Sequence, residues 1–231
     1  MARRDGRSAN QLRPPQVELR PLQRADGSAR FRFGDCTVLA AVYGPKEPRT
    51  RHRELCDRCT LDVVVRPRVG IPGPQERQME ALLARQLEYV VLATEYPRTQ
   101  ISVIVQMSCC DGSTAAVAGN AAHLALLDAG VAMKATAMCV ALGVKLSPEP
   151  VIWLDPTELE EAQCDALISL SMDGSRRRQV LQGVSRHGVF PRVSRRGNGA
   201  SAALWDSGQV LEAFMRMSLQ KRLEGFLKPN A

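Results

Sequence analysis

Aromatic side chains are scarce: two Trp, three Tyr and five Phe make up 4% of the 231 residues. Platforms for stacking nucleobases are correspondingly few, so any nucleic-acid contact has to rest on arginine and phosphate. Long apolar runs are missing too. No stretch reaches the roughly 18 residues that a membrane-crossing helix needs, so no membrane span is expected. The opening segment, MARRDGRSANQLRPP, has no apolar centre and carries Asp5, unlike a signal or transit peptide. A reducing compartment follows, in which the seven cysteines are free thiols. Cys56 and Cys59 have the spacing of half a zinc site, and a zinc-binding RNA module built on them is the weakest of the functional alternatives. No second Cys or His pair follows at a useful distance, so no metal site is expected. His123 and His187 lack a Ser or Cys in a triad-like setting and read as structural.

A hydrophobic fraction of 45% is enough for a substantial core. The length fits one large domain or two small ones, of which a single domain over 1–231, with its core over about 3–225 and a short polar tail, is expected. Net charge is +7 and the isoelectric point is near 9.3. Such a balance suits a polyanionic partner such as RNA, though it also suits a basic protein with no such partner. Arg176, Arg177 and Arg178, followed by Arg186, Arg192, Arg195 and Arg196, concentrate that charge late in the chain. They read either as a solvated loop or as an RNA or partner contact.

Along the chain the first half alternates like short strands: Gln16–Leu22, Arg30–Phe33, Thr37–Tyr43 and Thr60–Arg66. Gly27 completes a turn between the first two, and Pro45–Asp57 is polar enough to be an exposed loop. Helical spacing over Gln75–Ala93 sets Met79, Leu82, Leu83, Gln86, Leu87, Val90 and Val91 on one side. Ile101–Met107 is a central strand and Thr114–Leu127 a second helix. Ala137–Leu142, Val151–Leu154 and Cys164–Met172 are further strands, and Asp173-Gly174 turns toward Val180-Leu181. Ser207–Phe226 closes the chain as an amphipathic helix with Val210, Leu211, Phe214, Met215, Leu219 and Leu223 inward. Mixed strands with interspersed helices give an α+β class with mixed sheets.

The segment DGSTAAVAGNAAHLALLDAG, Asp111 to Gly130, carries the most information. A strand runs into a turn that opens directly onto an alanine-rich helix. Free N–H groups and the helix dipole gather partial positive charge at such a point, which is the chemistry of a phosphate seat. Ser113 and Thr114 add hydroxyls, and Gly112 allows close backbone approach. Ordinary capping by Ser113 or Thr114 explains the same pattern.

These pieces, in this order, resemble the RNase PH family, the phosphate-dependent exoribonucleases and the related ring subunits of the RNA exosome. Arg3-Arg4-Asp5-Gly6-Arg7 and Gln11-Leu12-Arg13-Pro14 look like its N-terminal signature. Gly27-Ser28 through Phe33-Gly34-Asp35, then Val42-Tyr43-Gly44-Pro45, resemble its first hairpin. Glu76–Glu88 is similar to its long helix, and Asp111–Gly130 to its phosphate loop and following helix.

The resemblance implies the RNase PH fold, which is also called ribosomal protein S5 domain 2-like. It implies other RNase PH-like ring subunits and single-stranded RNA as partners, a homodimer for the isolated chain, and a nuclear, nucleolar and cytoplasmic distribution. It also allows a comparison of site chemistry. Phosphorolysis needs a gripped phosphate, neutralised charge and an acid or metal at the leaving oxygen. Where active relatives read Gly-Gly-Thr-Arg, this chain reads Gly112-Ser113-Thr114-Ala115, so the arginine is lost. A second family arginine falls at Gln75, with Arg77 two residues on. The principal aspartate falls at Leu159, flanked by Glu158, Glu160 and Glu161, which also read as a solvated acidic turn; Asp165 matches the second aspartate. Arg85 matches a family arginine and, with Arg176, Arg177 and Arg178, is a candidate RNA contact.

The primary expectation is a ring subunit that lines an RNA channel without needing a cofactor. The alternative is a phosphate-dependent 3′-to-5′ exoribonuclease acting as a homodimer. It would use Ser113, Thr114, Gln75 and Arg77 for phosphate and Asp165, Glu160 and Glu161 for catalysis. Inorganic phosphate would be its co-substrate and Mg²⁺ its optional ion.

Overall fold

The computed structural model describes residues 5–48, 54–145, 151–173 and the backbone of 178–185, together with Arg3 and the single positions 210, 213, 217 and 220. Nine strands, three α-helices and a 3-10 turn at Ala93–Glu95 form over residues 5–185, and positions 210, 213, 217 and 220 are also helical. β1 (Pro15–Leu19), β2 (Gly27–Phe33), β3 (Cys36–Lys46), β4 (Thr60–Arg66) and β5 (Gln100–Cys109) make one sheet in the order β1-β2-β3-β5-β4. All neighbours are antiparallel except β4 and β5, which run parallel. A parallel pair needs a crossover, and α1 (Pro74–Val90) supplies it. β6 (Ala137–Lys145), β7 (Val151–Leu154), β8 (Ala166–Asp173) and β9 (Arg178–Ser185) form a second, antiparallel sheet in the order β7-β6-β8-β9.

α2 (Thr114–Ala129) lies between the sheets, packed on β2, β3 and β5 on one side and on β6 and β8 on the other. Every residue from Ala116 to Leu126 is buried. A helix buried all round cannot show an amphipathic stripe, and alanine lets both sheets approach closely. Gly27 is part of this fit. It sits inside β2 rather than in a turn, because a Cβ there would fall 2.3 Å from the Ala125 carbonyl oxygen. The helix ends where Gly130 turns left-handed, with the Val131 N–H bonded to Leu126 O and the Gly130 N–H to Leu127 O. That pair of bonds is a Schellman stop.

Differences from the sequence reading are local. The first helix stops at Val90 rather than Ala93, since Val91 leaves helical geometry and bridges to Met133. Residues 158–163, read as a solvated acidic turn, form a short helix, α3 (Glu158–Gln163), none of whose residues is buried. Cys36, Cys139 and Cys164 are buried, as small core residues should be. His123 is fully buried, and its Nε2 accepts the Ala137 N–H. Most of the expected helix over 207–226 lies outside the described residues; Val210, expected to face inward, is exposed.

Candidate functional site

The phosphate-loop residues sit where β5 ends and α2 begins, beside the carboxyl end of its parallel neighbour β4. Gly112 and Ser113 both have positive φ, 71° and 55°. For Gly112 the reason is contact as well as conformation, since a Cβ would lie 2.4 Å from Pro156 O. The loop is thereby pressed onto the start of α3. Ser113 Oγ donates to Pro156 O at 3.0 Å, and the Ser113 N–H donates to Glu161 Oε1 at 2.6 Å. The Ser113 N–H, the first donor of the would-be phosphate seat, is thus taken up by the chain's own carboxylate.

α3 presents that carboxylate in a fixed pose. Glu160 Oε2 accepts the Thr157 N–H at 3.0 Å, one arm of a capping box, and Glu160 Oε1 lies 3.2 Å from Arg3 Nε. Asp111 Oδ1 accepts a long bond from the Glu158 N–H at 3.5 Å. Behind them lies a buried ion-pair lattice not foreseen in the sequence. Arg13 Nη2 and Nε each bond Asp155 at 2.7 Å, one to each carboxylate oxygen, and Nη1 bonds Asp111 Oδ2 at 3.0 Å. Arg3 Nη2 reaches Leu154 O at 2.6 Å, and the Leu154 N–H bonds Ala9 O. The N-terminal strap is thereby tied to the loop between β7 and α3. Burial by itself pushes the Asp155 carboxyl up; the hydrogen bonds and charge of Arg13 outweigh it and hold the group below the usual carboxylate range. Arg13 is raised in turn, as burial is outweighed by bonding to Asp155. Arg3 and Arg13 of the N-terminal signature thus hold the strap, the loop before α2 and the start of α3 together.

The remaining candidates separate into three groups. Ala115, in the place of the family's phosphate arginine, lines a small groove of about 30 Å³ with Met79, Leu82 and Gln86 of α1 and Ser169 and Ser171 of β8. Gln75 lies one turn before Met79 on that same face of α1, whereas Arg77 falls on nearly the opposite face. Gln75, Arg77 and Arg85 are all exposed, and Thr114 is half-buried. Asp165 is also exposed, its N–H bonded to Val144 O at the junction of α3 and β8. Arg176 and Arg177 lie outside the described residues, and Arg178 opens β9 opposite Asp173.

The carboxylates expected near a Mg²⁺ ion are engaged elsewhere among the described residues. Glu160 is bound to Arg3 and Thr157 and Glu161 to Ser113, and no three His, Cys, Asp or Glu side chains gather as a metal site among the described residues. Of the possible zinc pair, Cys56 is exposed and Cys59 buried, with its thiol pushed up by that burial.

Beside α3 opens a cleft of about 580 Å³ whose lining includes Trp153, Leu159, Asp5, Asp35, Asp111 and Glu160. Leu159, the position implied for the principal aspartate, is 57% exposed there. Sequence reasoning located α2 and its turn, but not Glu161 as the occupant or Asp155 as the anchor of Arg13. Neither contact leaves a periodic signal.

Known proteins show the same architecture. Residues 11–132 match the model of the 3′ exoribonuclease family, domain 1, labelled RNase_PH. The chain is 37% identical over 244 residues to a rice protein named exosome complex exonuclease RRP46 homolog, covering 97% of this chain and 98% of that one. It is 40% identical over 168 residues to the Arabidopsis thaliana protein of the same name, covering 73% of this chain and 69% of that one. The crystal structure of rice Rrp46 superposes with a TM-score of 0.84 at 37% identity, spanning 94% of this chain and 100% of that one. Fold, loop and relatives agree: the chain belongs to the RNase PH family of 3′ exoribonucleases and adopts its α+β fold.

Proposed function

We propose that this protein is an RNase PH-like ring subunit of an exosome-type complex, one that builds and lines an RNA channel in ribosomal RNA processing and RNA degradation without performing phosphorolysis. The observation that carries this reading is the Glu161 carboxylate on the Ser113 N–H. It opposes phosphate where active relatives attract it. Ala115 and Gln75 stand where the family pattern has arginine, so the charge those two positions would supply is missing. Each such clamp is worth a few kcal/mol, so losing both lowers the rate by roughly 10³-fold or more. Ring partners are other subunits of this fold, and the isolated chain pairs with itself. Single-stranded RNA is the second partner, met by the basic balance of the chain and by exposed arginines such as Arg85. The setting is nuclear and nucleolar, with a cytoplasmic share.

The enzymatic alternative has its own support. The rice and Arabidopsis relatives are named exonucleases, and Thr114 keeps the family's hydroxyl. One experiment separates the two. With 3′-labelled RNA, purified protein is expected to release no nucleoside diphosphate in inorganic phosphate, and co-purification with other ring subunits is expected to succeed. Phosphate-dependent release that disappears in Thr114→Ala or Asp165→Ala would overturn the scaffold reading. The plug itself is checked by melting in phosphate. Glu161→Ala is expected to gain phosphate-dependent stability that the parent lacks, because a ligand bound only to the folded state raises Tm.

A further inference from the structure

The register between β3 and β5 brings two thiols together at the start of the phosphate loop. Thr37 is opposite Cys109 and Val38 opposite Met107, so Ser108 is left over as a bulge. Opposed residues on antiparallel strands point to the same side of the sheet, and the side alternates with each step. Carried one residue beyond Cys109, the register puts Cys110 opposite Cys36. Cys36 lies on the inner side with Val38, both fully buried. Cys110 follows it there, its Sγ 3.9 Å from Sδ of the buried Met107. Residues three apart on a regular strand face opposite ways, so that contact depends on the bulge.

Opposed Cα atoms in an antiparallel pair are about 4.5–5.5 Å apart, within the roughly 4.4–6.8 Å that a disulfide bridges. The two thiols differ in access: Cys110 is exposed at the end of the sheet and Cys36 is buried. Burial pushes the Cys36 thiol up to about 12; the Asp111 N–H pulls against that rise and the charge of Cys110 adds to it, so both neighbours lie near this sulfur. At pH 7 only about one Cys36 in 10⁵ is then thiolate. An aligned intramolecular attack has an effective molarity of roughly 10⁵–10⁸ M, which offsets that scarcity. Partial burial and the charges of Cys109 and Glu158 raise the Cys110 thiol as well. Its oxidation is therefore slow and answers to sustained oxidant rather than to a brief pulse.

We propose that Cys36 and Cys110 are a reversible redox pair whose disulfide staples β3 to the loop before α2. The oxidant is a peroxide. Cys110, as thiolate, attacks one peroxide oxygen; the O–O bond breaks, a sulfenic acid forms, and the departing hydroxide takes up the thiol proton as water. Cys36 then attacks the sulfenic sulfur. The S–S bond forms, the S–O bond breaks, and a second water leaves with the Cys36 proton. Two thiols and one hydrogen peroxide become one disulfide and two waters. A dithiol reductant reverses the bond by exchange and ends as a disulfide itself. The staple lands beside the ion-pair lattice. Asp111 follows Cys110 and bonds Arg13, whose Cδ would lie 2.7 Å from a Cβ at Gly34 in the β2–β3 turn. The bond closes a loop of roughly 75 residues and so restricts the unfolded chain.

The test is to treat the full chain with hydrogen peroxide, alkylate the remaining thiols and map peptides without reductant. A link between the Cys36 peptide and the Cys110 peptide is expected, one that survives Cys109→Ser and vanishes in Cys110→Ser. Oxidation should raise Tm by about 5–15 °C, and dithiothreitol should reverse the rise. Cys110→Ser, at an exposed position that leaves folding intact, should show no rise. In Cys36→Ser, dimedone should trap at least about tenfold more sulfenic acid at Cys110 than in the parent, because the resolving thiol is gone. A link made by Cys109, a bond between chains through Cys56, or Cys110 carried to sulfinic acid while Cys36 stays reduced overturns the pair. So does a rise in Tm that persists in Cys110→Ser.

Discussion

Replacing Asp155 with asparagine tests the ion-pair lattice most directly. Asparagine keeps the shape and one acceptor but removes the charge, leaving the Arg13 guanidinium buried. Asp155 is 1% exposed at its side chain and Arg13 6%, so solvent screening offers little relief. Removing one partner of a buried pair costs about 3–5 kcal/mol. Asp111 still bonds Arg13 at 3.0 Å and is itself one-third exposed, which places the expectation near the bottom of that range, about 3 kcal/mol. For a chain of this size each kcal/mol moves Tm by about 2–4 °C, so a fall of roughly 6–12 °C is expected. The pH dependence supplies a second reading. A carboxyl held below its unfolded value of about 3.9 stabilises fully above that value and loses the contribution as pH falls through the lower, folded value. The gap between parent and variant should therefore be full at pH 7 and shrink below about pH 4. Urea titrations at several pH values measure both. A cost under about 1 kcal/mol at pH 7, or a gap that does not shrink in acid, refutes the reasoning. Arg13→Met with Asp155→Leu should cost less than the sum of the two single changes, since the bond the two share is lost only once, while Arg7 and Asp111 each lose a partner.

His123 should impose a second acid dependence. Burial lowers its pKa to about 4, whereas the unfolded chain takes up the proton below about 6.5. Stability should then fall by about 3 kcal/mol as pH drops from 6.5 toward 4, and His123→Leu should flatten that slope; parallel urea midpoints for the two proteins would contradict it. Glycine substitutions should separate space from backbone strain. Gly27→Ala puts a Cβ 2.3 Å from backbone and should cost more than about 3 kcal/mol. Gly130→Ala meets open space and bears only its positive φ, so about 1 kcal/mol is expected; equal costs in denaturant titrations would count against this packing.

Much of the fold was legible because its signals are local. Alternation bounded by turn residues marked β1 to β4, apolar content marked β5, and the turn chemistry of Asp111 to Thr114 marked the start of α2. α3 was missed because six residues carry less than two turns of periodicity, and Glu158, Glu160 and Glu161 look like a wet surface until their partners are known. The candidate site was half legible. Missing arginines at Ala115 and Gln75 could be read from the family pattern. The partners of the charges that remain could not, since Arg13 meets Asp155 across 142 residues and Ser113 meets Glu161 across 48.

By itself the amino-acid order determined the class of the domain and the alanine-rich helix, and set against the family pattern it put Ala115 and Gln75 where active relatives carry arginine. These follow from residue identity and spacing along the chain. Tertiary structure alone decided where the carboxylates went: Glu161 onto the helix start, Asp155 under Arg13, and an exposed leucine beside the cleft where the family pattern implies an acid. Coulomb attraction and burial act through space, so charges distant in sequence acquire their roles only once the sheets have closed around α2.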